Sequence, residues 1–288
     1  MAKGMQQGLV VKKMADKFHL DTPQGREIVT ARAILKENKI LVGDKVFYNT
    51  ETMNIETVGE RKNTLLRPPM ANLDQLFIVL AQEPIPDFLM LDKMLIFCMV
   101  NSVEPIICLN KIDKGCDNQE YIHKVYGKHF KIIFLSAHTQ KNVDEVVNLL
   151  NGKTSAFAGQ SGVGKSALIN ALFKEDITLE GNLSYKIARG KNTTRHIELF
   201  EIFKHSYIAD TPGFTALDEA YLPITAEKLP YYYPDFLAHL SECKYKSCLH
   251  NKEQECGIKK AVKEGKIDEK RYIRYLTILQ ALQSKKTY

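Results

Sequence analysis

Four short strings in this 288-residue chain have side chains of the right type and spacing to hold a purine nucleotide triphosphate. Gly159-Gln160-Ser161-Gly162-Val163-Gly164-Lys165-Ser166 follows an apolar run, Thr154 to Ala158, and opens a helical one. In that context backbone N–H groups from Gly159 through Ala167, with the helix N-terminus, can enclose α- and β-phosphates. Lys165 would reach the β- and γ-phosphates, and the Ser166 hydroxyl would ligate Mg²⁺. Asp210-Thr211-Pro212-Gly213 ends a second apolar run about fifty residues later, where Asp210 would hold a Mg²⁺ water and the Gly213 N–H would sense the γ-phosphate.

The base is read by a third string, Asn110-Lys111-Ile112-Asp113. The Asp113 carboxylate can accept two hydrogen bonds from guanine N1–H and the exocyclic amine, which adenine does not offer in that arrangement, so adenine would leave it unsatisfied. Lys111 would lie along the base plane, and Asn110 would tie this loop to the phosphate loop. Ser136-Ala137, after the run Lys131 to Leu135, would supply a backbone N–H to guanine O6. The order is unusual: the base-reading tetrad precedes the phosphate loop by about fifty residues, so the nucleotide fold has been circularly permuted.

A second constellation is Cys243, Cys248, His250 and Cys256, three thiols and an imidazole within fourteen positions. In a reducing compartment such a set reads as a closed tetrahedral site for one structural Zn²⁺, with no position left for catalytic water. Cys98, Cys108 and Cys116 read as ordinary thiols.

The elements that must position these groups follow from periodicity. Five short alternating segments, Leu9 to Val11, Phe18 to Leu20, Ile28 to Ala33, Val46 to Tyr48 and Ile55 to Val58, predict a small barrel. An OB fold leads and an SH3-like barrel is the alternative. Phe18, Phe47 and Tyr48 are its candidates for stacking on nucleic acid. Arg61 to Pro69 reads as a linker. Apolar runs then alternate with helical stretches, which predicts a mostly parallel sheet covered on both faces with ligands at the strand ends. The expected units are 1–68, a β-barrel; 69–218, a permuted α/β GTPase domain; and 219–288, a zinc-binding and basic helical domain.

Composition is ordinary globular, 44% apolar and 26% charged. The N-terminus lacks the apolar core of a signal peptide, and Asp92 and Lys93 interrupt the most apolar stretch, Phe88 to Val100. A cytoplasmic, membrane-free monomer is expected. The net charge of +6 is modest, but nine basic residues (Lys259, Lys260, Lys263, Lys266, Lys270, Arg271, Arg274, Lys285 and Lys286) face three acidic ones from Lys259 onward. That tail would neutralise RNA phosphates.

Taken together, NKID at Asn110, SA at Ser136, GQSGVGKS at Gly159, GKNTTR at Gly190, DTPG at Asp210, the string from Arg67 to Gln75 and the cysteine cluster resemble the circularly permuted, small-subunit-dependent ribosomal GTPases, the RsgA/YjeQ family. The resemblance implies an OB domain, a permuted GTPase domain, a zinc domain, binding of GTP and GDP, and late maturation of the small ribosomal subunit through its rRNA. It also implies a histidine in the first switch loop, in an HTT string, in place of the glutamine that many G proteins carry after DxxG. This chain has Phe214 after DxxG and Asn192-Thr193-Thr194 at the switch string. Thr193 or Thr194 can close on Mg²⁺, with Thr194 preferred. Asn192 cannot take a proton, which leaves His196 as a candidate to orient water; a solvent-facing or structural histidine is the alternative. The expectation is slow intrinsic hydrolysis stimulated by the ribosome. The competing reading is an rRNA-binding scaffold that holds GTP or GDP with little turnover.

Overall fold

The computed structural model describes residues 4–31, 40–115, 117–172, 197–210 and 222–284. Strands β1 (Met5–Met14), β2 (Lys17–Thr22), β3 (Gly25–Ala31), β4 (Lys45–Asn49) and β5 (Asn54–Val58) close a barrel in the order β1-β2-β3-β5-β4-β1, with only β3 and β5 parallel. That ordering selects the OB fold over the SH3-like alternative. Alternating residues point inward, as the pleat requires, and Val10, Phe18, Leu20, Val29, Val46, Tyr48 and Ile55 make the core. Two of the three expected stacking aromatics are thereby consumed: Phe18 and Tyr48 are buried inside the barrel, and Phe47 alone keeps partial exposure.

The stretch expected to be a linker is a fixed seam. Strands β6 (Thr64–Leu66) and β7 (Pro69–Ala71) pair as a hairpin. Arg61 grips both carboxylate oxygens of buried Asp44 at 2.7 and 2.8 Å, and the Asn63 amide bonds the backbone of Leu73 in both directions. Gly43 has φ +92°, and a Cβ there would lie 2.0 Å from the Ala71 carbonyl oxygen, so only glycine lets the barrel meet this hairpin. Proline punctuation marked a break in regular structure but could not reveal these side-chain clamps.

Beyond it the α/β alternation matches the expectation closely. The elements are β8 (Gln75–Ala81), α1 (Phe88–Val100), β9 (Glu104–Asn110), α2 (Gln119–Tyr126), β10 (Lys131–Phe134), α3 (Val143–Leu150), β11 (Thr154–Ala158), α4 (Lys165–Leu172), β12 (Glu198–Phe203) and β13 (Ser206–Asp210). The order β10-β9-β8-β11-β13-β12 is parallel except for the β12–β13 hairpin. One face is covered by α1 and α2 through Leu91, Leu95 and Ile122, the other by α3 and α4 through Val146 and Leu168. Strand β12 also pairs with β1 of the barrel, so the sheet runs on into it.

The C-terminal segments are a 3-10 turn (Ala226–Tyr232), a short α5 (Pro234–Leu237), α6 (Gly257–Lys263) and α7 (Glu269–Ser284). Phe236, Tyr275, Ile278 and Leu279 share one core with α1, so these segments pack directly on the nucleotide domain. At their centre Asp92, fully buried on α1, meets Arg274 at 2.5 Å, Arg271 at 3.4 Å and the Tyr126 hydroxyl at 2.9 Å. Arg271 also pairs with Asp235 at 3.0 Å and lies over the Tyr126 and Tyr233 rings. The charge count of the basic tail is corrected accordingly: Arg271 and Arg274 balance interior carboxylates, and Lys285 and Lys286 lie outside the described residues. Among the described residues, no helix is long and apolar enough to cross a membrane.

Candidate functional site

The phosphate loop leaves β11 through glycines that have no substitute. Gly159 has φ +139°, and a Cβ on it would sit 2.1 Å from the Val79 carbonyl oxygen of β8; Gly162 follows at φ +82° and Gly164 at φ +92°. Helix α4 starts at Lys165, so Ser166 and Ala167 occupy its first turn, where unpaired N–H groups and the helix dipole favour an anion. The Lys165 ammonium folds over this loop and donates to the carbonyls of Gly159 (2.7 Å) and Gln160 (2.8 Å). Its half-buried position lowers its pKa through desolvation, which a phosphate beside it would reverse. Gln160 also accepts at 3.1 Å from the Asp87 N–H, the N-cap of α1, a contact with no signature in the sequence.

The base-reading loop is physically joined to the phosphate loop. Asn110, at the end of β9, donates to the Val163 carbonyl at 3.0 Å and accepts from the Ala137 N–H at 3.0 Å, so one amide bridges all three loops. A Cβ on Gly164 would lie 2.4 Å from that amide nitrogen. Lys111 is left-handed at φ 62°, turning the chain out of the strand, and its ammonium bonds the carbonyls of Gly162 (2.6 Å) and Glu83 (2.8 Å). Asp113 accepts a 2.5 Å hydrogen bond from the Ser136 hydroxyl, which holds its carboxyl below the usual carboxylate range. The serine thus favours the ionised carboxylate and fixes one of its oxygens. The backbone N–H groups of Ser136 and Ala137 donate to Lys141 O and Asn110 Oδ1 respectively, so the serine's visible part here is its hydroxyl, supporting Asp113.

Strand β13 brings Asp210 to the same rim. Ala209 pairs with Ala156 of β11, which leaves Asp210 beside the mouth of the phosphate loop. Burial raises the Asp210 pKa and the charge of Glu198 raises it further. Among the described residues no cation pairs with Asp210, so this carboxylate, at the end of its strand, fits a hard divalent ion. Asn192, Thr193, Thr194, His196, Gly213 and Phe214 lie outside the described residues.

At the other end of the chain the Cys243, Cys248, His250 and Cys256 ligand atoms all lie within 4.8 Å of one another. Cys243 Sγ is 3.6 Å from His250 Nδ1 and 4.0 Å from Cys256 Sγ, and His250 Nδ1 is 3.3 Å from Cys256 Sγ. Tetrahedral Zn²⁺ with three thiolates and one imidazole sets neighbouring ligand atoms roughly 3.5 to 3.8 Å apart. Burial pushes the Cys248 thiol up to about 12 and His250 down to about 4; a divalent cation would hold the thiols ionised and the imidazole neutral. The Gly257 N–H donates to Cys243 Sγ at 3.3 Å, while the hydroxyls of Tyr272 and Tyr275 on α7 bond the carbonyls of His250 (2.6 Å) and Leu249 (2.8 Å). Tyrosines three apart on one helix are the signal that sequence reading passed over. Cys98 and Cys108 are buried thiols with raised pKa values, and Cys116 lies outside the described residues.

Against known proteins, the family described as RsgA GTPase matches residues 58–220. The chain is 39% identical to the small ribosomal subunit biogenesis GTPase RsgA of Caldanaerobacter subterraneus, over 97% of this chain and 96% of that one. It is 37% identical to the protein of the same name from Clostridium botulinum, over 96% and 97%. The crystal structure of YjeQ from Thermotoga maritima superposes with a TM-score of 0.83 at 30% identity, covering 98% of this chain and all of that one. YloQ, a circularly permuted GTPase, superposes at 0.79 with 28% identity, covering 100% and 99%.

Proposed function

The chain belongs to the RsgA GTPase family, and from that premise we propose that it hydrolyses GTP to GDP and phosphate as a late maturation factor of the small ribosomal subunit. The observation that carries the reading is the Asn110 amide, which holds the base-reading loop, the Ser136-Ala137 loop and the phosphate loop to one another.

In this reading Asp113 pairs with guanine, Lys111 lies along the base, and Gly159 through Ala167 surround the phosphates with Lys165 as the mobile cation. Ser166, Asp210 and Thr194 hold Mg²⁺, which when bound neutralises charge on the β- and γ-phosphates. Gly213 senses the γ-phosphate. With Phe214 after DxxG and Asn192 in the switch string, the free protein lacks a strong water-orienting group and turns over slowly. Completion of the site on the small subunit accelerates hydrolysis by about 10³ to 10⁵. His196 is this chain's candidate to orient the attacking water, against a solvent-facing or structural histidine; unchanged stimulated turnover in His196→Ala would exclude that role. The Cys₃His set holds one Zn²⁺ structurally, with no chemistry at the metal.

The three units are 1–68, 69–218 and 219–288, working as a cytoplasmic monomer whose barrel and zinc-bearing end both face rRNA. Single-turnover hydrolysis of GTP, with and without purified small subunits, tests the proposal. Acceleration by small subunits is expected; an unchanged, near-zero rate would favour the rRNA-binding scaffold.

A further inference from the structure

Four ionisable side chains form a row across the seam between barrel and nucleotide domain. In the register of the sheet His19 of β2 faces Lys12 of β1, Lys12 faces Glu198 of β12, and Glu198 faces Asp210 of β13. Direct cross-strand partners project from the same face. The preceding or following residues on three of these strands, Val11, Leu199 and Ala209, are all buried in the core on the opposite face. The row therefore lies on one side, with Lys12 and Glu198 partly shielded from water. The Lys12 ammonium bonds the Glu198 carboxylate at 2.6 Å. A separate contact joins the Tyr207 hydroxyl of β13 to Asp21 of the barrel.

A carboxylate one strand away from Asp210 adds negative potential where the magnesium side of the nucleotide would sit. At partly buried separations of this size, charge interactions are only moderately screened. Lys12 sits on the far side of Glu198 and cancels part of that potential, but only while the barrel stays docked. We infer that Glu198 is a positioning residue for the magnesium side of the nucleotide site, and that Lys12 of the barrel sets how much of its negative field reaches Asp210. Displacement of the barrel would then unmask Glu198 and tighten the hold on the divalent ion, linking barrel placement to nucleotide state without passing through the switch loops. The inference rests on the reading of Asp210 given above.

The test is equilibrium binding of a fluorescent, non-hydrolysable GTP analogue to the full zinc-loaded chain as free Mg²⁺ is titrated. Glu198→Gln should raise the Mg²⁺ midpoint by about threefold to tenfold, and Lys12→Met should lower it by a similar factor. Lys12→Arg, which keeps the charge, should leave it unchanged. A pair that only clamps the barrel would give shifts of one direction, or none, in both charge-removing variants, and either result overturns the inference. Absence of analogue binding to the unmodified chain would instead overturn the nucleotide-site reading itself. Should Lys12→Met fail to fold, Lys12→Gln takes its place: a lowered midpoint beside the raised one of Glu198→Gln supports the inference, and a midpoint that does not fall sinks it.

Discussion

Asp113 shows how a motif residue depends on a neighbour that the motif leaves out. Its carboxylate is held ionised by the Ser136 hydroxyl first, with His138 4.0 Å away on the other oxygen adding a smaller attraction when protonated. Because the folded-state pKa is depressed, this contact contributes stability above the ordinary carboxylate value of 3.8 and loses it as pH falls through the lowered one. Guanine binding should follow the same ionisation. Ser136→Ala is therefore expected to weaken GDP about threefold to tenfold at neutral pH, as one supporting hydrogen bond to a charged group is removed. It should also move the acid limb of GDP affinity to higher pH, measured by calorimetry across a pH series. Asp113→Asn should shift preference from guanine to xanthine in the same assay; retained guanine selectivity would contradict the assigned contact. At this scale the glycines, Lys165, Asn110 and Asp113 were legible because their chemistry demands fixed types at fixed spacing. Glu198, the Gln160 side-chain contact to Asp87 and the Ser136 hydroxyl were not, since each acts through register or loop approach, which no local string encodes.

Among the elements, α1 connects the two ends of the molecule. Its N-cap, Asp87, touches the phosphate loop through Gln160, and one turn further its Asp92 is locked to Arg271 and Arg274 of α7. Helix α7 in turn bonds the carbonyls of Leu249 and His250 beside the zinc ligands. The apolar stretch Phe88 to Val100 coincides with α1, yet Asp92 read as an interruption of it, since its compensating cations lie about 180 positions away. Long-range pairing of this kind is invisible to periodicity. Removing one member of a buried ionic cluster leaves the others uncompensated, which costs about 3 to 5 kcal/mol. Asp92→Asn should lower unfolding stability by that amount in urea denaturation, whereas exposed Lys263→Ala should change it by about 0.5 kcal/mol or less. Equal, small effects would show that the cluster is not what docks α7.

For the whole molecule, the sheet continues from the nucleotide strands into the barrel through the Lys12–Glu198 register pair, and one core is shared beneath α7. In the proposed function, contact with rRNA would be set by which cations remain outside after the interior ones are paired. Lys260, Lys263, Lys266 and Lys270 are exposed, though Lys260 and Lys266 share Glu264, while Arg271 and Arg274 face inward. A phosphate contact released by salt gives a log–log slope of about −0.7 to −0.9 per phosphate neutralised, depending on whether the RNA is single- or double-stranded. Lys263→Gln and Lys270→Gln are therefore each expected to weaken small-subunit binding and to flatten its salt dependence by about one unit, measured from 50 to 200 mM salt. Changes in affinity with the slope intact would mean that this face docks on ribosomal protein. The reason the slope discriminates is that it counts displaced counterions and ignores buried apolar area, so a helix that binds by packing can lose affinity on substitution yet cannot lose ions it never displaced.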